Sequence, residues 1–468
     1  MVFSELIFIF AFLPITLLIY YAVPFKFKNF ILLLSGLVFY SWGEPVYVLI
    51  MILSTLIDYT AGRVMARFDD SAKIRKAALI VSVVMNLSLL CIFKYSGMAV
   101  NTVNSIIGAN ISNPNIPLPI GISFFTFQSM SYTIDLYRRQ IKVQKSFVDF
   151  AAFVTMFPQI VAGPIVRYED IANELCKRKV DLAMLSSGIS LYICGLAKKV
   201  LIANALGEVW SAVKLLDFGT LSAAGAWFGL LCFTFQIYFD FSGYSDMAVG
   251  LGKMLGFNFP KNFDYPYLSQ SVSEFWRRWH ITLGAWFRSY LYIPLGGNRK
   301  GAARTVINLL IVWFLTGLWH GASWNFVLWG VYYGVLIIIE KFLLKDILPH
   351  IPKILRIAAT FLIVVFGWLI FEMSDISMIP SFISAMFFKN GAFDSAAVYY
   401  IFHYAIIFIL AALVSIKIPQ KILCQISKNY IIGKASPYIV TLFEIMTFLL
   451  CIIYLVNAGY NPFLYFNF

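Results

Sequence analysis

Apolar runs close to the length of a bilayer-crossing helix recur along the whole chain, and little else about the sequence restricts its fold so severely. Such runs occupy residues 3–21, 77–93, 182–203, 221–239, 306–319, 324–339, 357–371, 398–416 and 438–456. Most approach the roughly 20 residues that an α-helix needs to cross about 30 Å of hydrocarbon. Shorter runs at 30–42, 46–57, 120–136 and 150–161 bring the expected total to about 11 to 13 membrane segments. Several of these are too short to span unaided and are expected to be re-entrant, which lipid tolerates only where protein or water surrounds the backbone. Composition agrees: 60% of the 468 residues are hydrophobic and 13% are charged, too few to cover a soluble chain of this length. The first run has neither a basic leader nor a small-residue cleavage site, so it reads as a permanent helix. The fold class expected is therefore all-α and polytopic, with residues 1–468 forming a single integral membrane domain.

A net charge of +13 on such a chain needs an explanation other than nucleic acid. Basic residues gather in short loops: Lys26 with Lys28, then residues 63–76, 138–145, 177–179 and 299–304. Residues 101–117 carry no charge at all. Under the positive-inside rule the basic loops are cytoplasmic and 101–117 is external, which places the N-terminus outside. Topology and contact with anionic membrane lipids account for most of the charge, and the remainder suits an acidic cytoplasmic partner such as an acyl carrier or coenzyme A. The six cysteines (91, 176, 194, 232, 424 and 451) form no CxxC pair, and most fall in apolar runs. They read as small core residues, with neither a disulfide framework nor a metal site implied.

The motif-dense part spans about residues 157–333, without low-complexity linkers or internal repeats. Inside it, residues 253–304 form the longest relatively polar stretch, expected at the cytoplasmic face. Val272, Phe275, Trp276, Trp279, Leu283, Trp286, Phe287 and Tyr290 recur there at steps of three and four. That spacing predicts one amphipathic helix, with Ser273, Arg277, His280, Gly284 and Arg288 along one flank.

Four clusters could carry chemistry. His320 follows Leu-Thr-Gly-Leu-Trp within an apolar run, where an ionisable group is costly and normally faces protein interior or a water-filled cavity. Imidazole titrates near neutrality and so suits a general base, although a bond to a neighbouring carbonyl would also explain it. Gly317 and Gly321 form a GxxxG step beside it, suited to close helix approach or to substrate space. His280 sits near Arg277 and Arg288, either as part of a headgroup anchor or as a polar lining that positions a phosphate-bearing donor. His350, beside prolines, and His403, in a plain helix, read as structural. Asp240 and Asp246 end an apolar run among Gln236, Tyr238, Ser242 and Tyr244, but six-residue spacing keeps the carboxylates off a common helix face. Hydrogen bonding and helix breaking are their plainer roles. Residues 157–166 place two prolines and a glycine in an apolar run and suggest a broken or re-entrant helix. The Gly-Gly-Asn-Arg-Lys-Gly stretch ending at Gly301 lacks the P-loop pattern and reads as a turn. No GxSxG elbow, HExxH motif or HxxxxD pair at either central histidine is present, so neither a serine nucleophile nor zinc chemistry has support.

In order and spacing, residues 157–171, 236–250, 262–267, 275–299, 317–324 and 461–468 resemble the membrane-bound O-acyltransferase superfamily, in particular its bacterial branch for O-acetylation of alginate and peptidoglycan. Ser289 departs from that pattern, since many relatives carry aspartate there. The resemblance implies a catalytic pair, His320 as the principal residue and His280 as its partner. Arg277, Arg288, Trp279, Asp240, Tyr244, Asp246 and Asn325 become candidates for substrate contact. It further implies a thioester donor (acetyl-CoA or an acyl carrier protein) at the cytoplasmic face of a bacterial inner membrane, with no tightly bound cofactor. An extracytoplasmic polysaccharide would be the acceptor, and a separate SGNH-type acetyltransferase or esterase would complete transfer. The alternatives are D-alanyl transfer toward teichoic acid and a non-enzymatic transporter, which would call for repeated halves.

Overall fold

A computed structural model of the protein describes residues 1–161, 163–417 and 430–457, side chains of 430–437 excepted. Ala162, Cys424 and the terminal stretch 461–468, all considered above, lie outside the described residues. Among the described residues the regular structure is entirely helical. Eight helices are long and apolar enough to cross a membrane, namely Val48–Arg67, Ala72–Ile107, Leu182–Lys214, Gly301–His320, Trp324–Phe342, Lys353–Glu372, Ser395–Val414 and Tyr438–Asn457. Phe8–Ala22 and Ile376–Met386 are shorter apolar helices. The polytopic all-α class is thus as expected. Five cysteines are free thiols, but Cys91, Cys176 and Cys194 are exposed, so only Cys232 and Cys451 are the core residues anticipated.

The chain divides into two compact units. The first comprises Met1–Tyr192 with Ser245–Lys261. Its centre is α1 (Ile122–Tyr137), in which fourteen residues are buried, Gln128, Asp135 and five serine or threonine side chains among them. Alongside it, on α2 (Val48–Arg67) and α3 (Ala72–Leu90), Asp58 accepts hydrogen bonds from Ser82 Oγ at 2.5 Å and Asn86 Nδ2 at 2.8 Å. The Ser82 hydroxyl also lies 3.1 Å from Thr133 Oγ1 of α1. After α4 (Phe147–Thr155) the helix stops, and Met156–Val161 continues as buried non-helical chain. Gln128 and Gln159 both donate to the Phe153 carbonyl, and a Cβ on Gly121 would meet the Ile160 carbonyl at 2.4 Å. Irregular backbone held by protein in this way is what the prolines suggested.

The second unit comprises Ile193–Tyr244 with Asn262–Phe468. Its backbone of interest is a hairpin of α5 (Gly301–His320) and α6 (Trp324–Phe342). These helices cross at glycine: a Cβ on Gly330 would sit 2.3 Å from the Trp313 carbonyl, and one on Gly317 would sit 2.3 Å from the Phe326 carbonyl. Gly321 abuts the Phe326 ring. Of the two uses open to the GxxxG step, close approach is the one realised. Against the hairpin lies α7 (Lys353–Glu372), which contributes the buried Trp368 and Phe371.

Candidate active site

The stretch expected to be one amphipathic helix is two short ones. Helix α8 (Val272–Arg278) ends at Trp279, and α9 (Ile281–Phe287) begins after His280, whose φ is +45°. The apolar stripe is correctly placed, since Val272, Phe275, Trp279, Leu283, Trp286 and Phe287 are all buried. The straight polar flank is not, because the left-handed residue re-aims everything after it. Histidine is among the few non-glycine residues that adopt this region with some frequency. The start of α8 is fixed by Glu340 of α6, whose carboxylate accepts the Val272 amide at 2.7 Å and the Ser273 amide at 3.2 Å. Its end is fixed by Arg278, which pairs with Glu274 at 2.7 Å and donates to the Asp264 carbonyl at 3.2 Å.

Those contacts bring Asn262 against His280. The Ile281 amide donates to the Asn262 carbonyl at 3.0 Å, and Asn262 Oδ1 lies 3.0 Å from His280 Nδ1. The same Oδ1 accepts the Thr282 amide at 3.3 Å and the Thr282 hydroxyl at 3.0 Å. A backbone N–H only donates, so the atom facing it is the amide oxygen and not the nitrogen. An imidazole nitrogen 3.0 Å from that oxygen must then carry the proton. His280 is therefore the Nδ1–H tautomer, which leaves Nε2 as the acceptor nitrogen. The segment 253–300 lies between spanning helices, and burial pushes His280 down to about 3, so the ring is neutral at physiological pH.

His320 closes α5 and is 3% exposed. Its ring packs edge-on to Trp319 and Trp329, each at 4.9 Å between centroids, and to Phe371 at 5.5 Å. His280 packs on the other neighbour of this group, 5.8 Å from Trp319 and 4.7 Å from Phe241. The two histidines, 40 positions apart, thus both pack against one tryptophan in an aromatic, buried setting.

The remaining candidates fall in different places. Asp240 is paired with Lys199 at 2.5 Å, both essentially inaccessible, one residue before the Phe241 that touches His280. Tyr244 is buried on the same helix, Ala223–Met254, while Asp246 is half-buried and belongs to the first unit. Trp279 is core, 4.7 Å from Trp368 and 5.0 Å from Phe263. Asn325 Nδ2 donates to the Phe371 carbonyl at 2.7 Å and so holds one wall of the His320 box. Arg277 and Arg288 are exposed. Arg277 lines an open cavity of about 1040 Å³ with Lys341, Lys345, Arg356, Glu274 and Glu340. His350 and His403 are exposed, His350 Nδ1 lying 2.9 Å from the Asp346 carbonyl and His403 stacking on Tyr399 at 5.5 Å. Reading by motif missed Asn262, Phe241, Trp329, Phe371 and Lys199. Asn262 stands in a matched segment but has no periodicity to single it out.

The description "MBOAT, membrane-bound O-acyltransferase family" fits residues 37–383. The probable alginate O-acetylase AlgI of Azotobacter vinelandii is 41% identical over 391 residues, covering 83% of this chain and 78% of the relative. The peptidoglycan O-acetyltransferase of Helicobacter pylori is 31% identical over 431 residues, covering 84% and 80%. A teichoic acid D-alanyltransferase of Bacillus subtilis is 29% identical over 272 residues, covering 54% and 68%. A buried histidine pair on a multi-pass helical scaffold, and matches of this length, place the chain in the membrane-bound O-acyltransferase family, and its activity is that of an acyltransferase.

Proposed function

We propose that the protein takes an acyl group, acetyl by its relatives' names, from a thioester at the cytoplasmic face and passes it toward hydroxyls of an extracytoplasmic polysaccharide. The observation that carries this reading is the pair of buried imidazoles that both contact Trp319. His320 removes the proton of the acceptor hydroxyl as its oxygen attacks the thioester carbonyl. The new C–O bond forms, the C–S bond breaks, and the proton passes from the imidazolium to the departing thiolate. A neutral His280 with Nε2 as acceptor cannot donate to the developing oxyanion. Its role is instead to hold the donor by accepting a hydrogen bond from it. The cavity around Arg277, Lys341, Lys345 and Arg356 offers cations to the phosphates of coenzyme A or a carrier's prosthetic arm. The setting is a bacterial inner membrane with the N-terminus outside, and an SGNH-type partner beyond the membrane receives the product.

The test uses the full chain in proteoliposomes with acetyl-labelled coenzyme A or acyl carrier protein inside, and oligosaccharide with the SGNH-type partner outside. Labelled ester should form with the intact protein and fall by roughly 10²–10⁴ with His320→Ala, the usual worth of a general base. Wild-type ester yield from His320→Ala would remove the assignment. The shorter match to D-alanyltransferases sets the competing reading, so a D-alanyl carrier is run in parallel. Transfer from that donor alone would replace acetyl by D-alanyl.

A further inference from the structure

We propose that Arg178 and Lys28, in the first unit and outside the candidate active site, form a binding site for the phosphate of an anionic phospholipid. Arg178 is 7% exposed. Its Nε donates to the Tyr20 hydroxyl at 2.7 Å, and Nη1 donates to Asn29 Oδ1 at 2.7 Å and to the Glu174 carbonyl at 3.0 Å. Nη2 is buried and has no hydrogen-bond partner among the described residues. The guanidinium lies 4.5 Å from the centroid of Phe257 and 5.6 Å from that of Tyr20. The Lys28 ammonium sits over the same Tyr20 ring at 4.6 Å.

Two cations therefore share one ring, and neither makes an ion pair with a carboxylate among the described residues. The Asp149 carboxylate of this network accepts from Asn29 Nδ2 at 2.7 Å rather than from the guanidinium. A buried cation without an anion is expensive, and a second one beside it compounds the repulsion. An anion with several acceptor oxygens, seated between them, would relieve both and would engage Nη2. Phosphate has that chemistry, and arginine matches it well. The surroundings select a lipid as its source. Lys26, Lys177 and Lys179 are exposed close by in sequence, and Phe25, Phe27 and Phe30 are exposed aromatic rings that suit contact with acyl chains. Basic residues next to a membrane segment favour anionic headgroups.

The experiment follows thermal unfolding and native mass spectra of the purified full chain with phosphatidylglycerol, phosphatidylcholine or inorganic phosphate. Phosphatidylglycerol should bind preferentially and raise the melting midpoint, with apparent affinity falling roughly fivefold in Lys28→Ala. Arg178→Gln should remove the preference altogether. Because that variant risks misfolding, the half-exposed Lys28 supplies the deciding measurement. Stabilisation by inorganic phosphate without any lipid preference overturns the lipid assignment in favour of a soluble phosphate ligand. Indifference to Lys28→Ala in every arm overturns the site.

Discussion

Replacing Asn262 by leucine should separate the chemistry of His280 from its mere presence. Asn262 Oδ1 serves three donors: His280 Nδ1, the Thr282 amide and the Thr282 hydroxyl. Leucine keeps the volume and removes the acceptor. The hydroxyl can rotate and the imidazole can move its proton to Nε2, but the Thr282 amide has no such escape. One orphaned buried donor costs roughly 1–3 kcal/mol, so the folded protein should lose about that much stability. The catalytic loss has a different origin. With the proton on Nε2, the ring presents a donor where it had presented an acceptor, and the hydrogen bond to substrate is lost. A buried donor left facing another donor costs roughly 1–3 kcal/mol, so the initial rate at subsaturating donor should drop about 5- to 100-fold. Initial rates in proteoliposomes, melting midpoints by intrinsic fluorescence and ¹⁵N spectra of labelled histidine read the three consequences separately. Only four histidines are present, so His280 can be assigned by difference. A wild-type spectrum with the proton on Nε2, or an Asn262→Leu protein with rates within twofold of wild type, would refute the reasoning.

Acidity should act on the same group. His280 is held far below its ordinary value by burial, so between about 6.5 and 3 the unfolded chain binds a proton that the folded chain does not. The melting midpoint should therefore fall as pH drops from 7 to 5, and Asn262→Asp, whose carboxylate favours imidazolium, should flatten that fall. Lys199→Met removes the ion-pair partner of buried Asp240 and should cost roughly 3–5 kcal/mol, whereas Lys199→Met with Asp240→Leu should recover most of it in the same unfolding assay. Gly330→Ala should lower the midpoint by forcing α5 and α6 apart, and a thermal scan at wild-type level would show that the crossing can relax.

Much of the framework was legible before any coordinates. Span length and the burial cost of an ionisable group pointed to the helical class and to His320, because both depend on local composition. The GxxxG step beside His320 also announced a close crossing, although its partner, Gly330, could not be read from spacing. The break at His280 was hidden for a physical reason: a continuous apolar stripe and a kinked one have the same spacing, and no glycine or proline marks the turn. The Lys199–Asp240 pair and the hold of Asn262 on His280 join residues 41 and 18 positions apart, a relation that only tertiary packing creates. Arg277 and Arg288 show the opposite case, since a helical wheel drawn through the break put both beside His280, whereas they are exposed and only Arg277 borders the basic cavity.

The buried helix Ile122–Tyr137 has a consequence for how the protein is made. Seven of its polar side chains are enclosed by protein, and a segment bearing Gln128 and Asp135 would partition poorly into lipid by itself. Its hydroxyl-lined face meets Ser82 only after Val48–Arg67 and Ala72–Leu90, earlier in the chain, are already in place. Insertion of this segment is thus conditional on its predecessors, and lesions at Asp58, Ser82 or Asn86 would surface as failed membrane integration during synthesis rather than as a weakened mature enzyme.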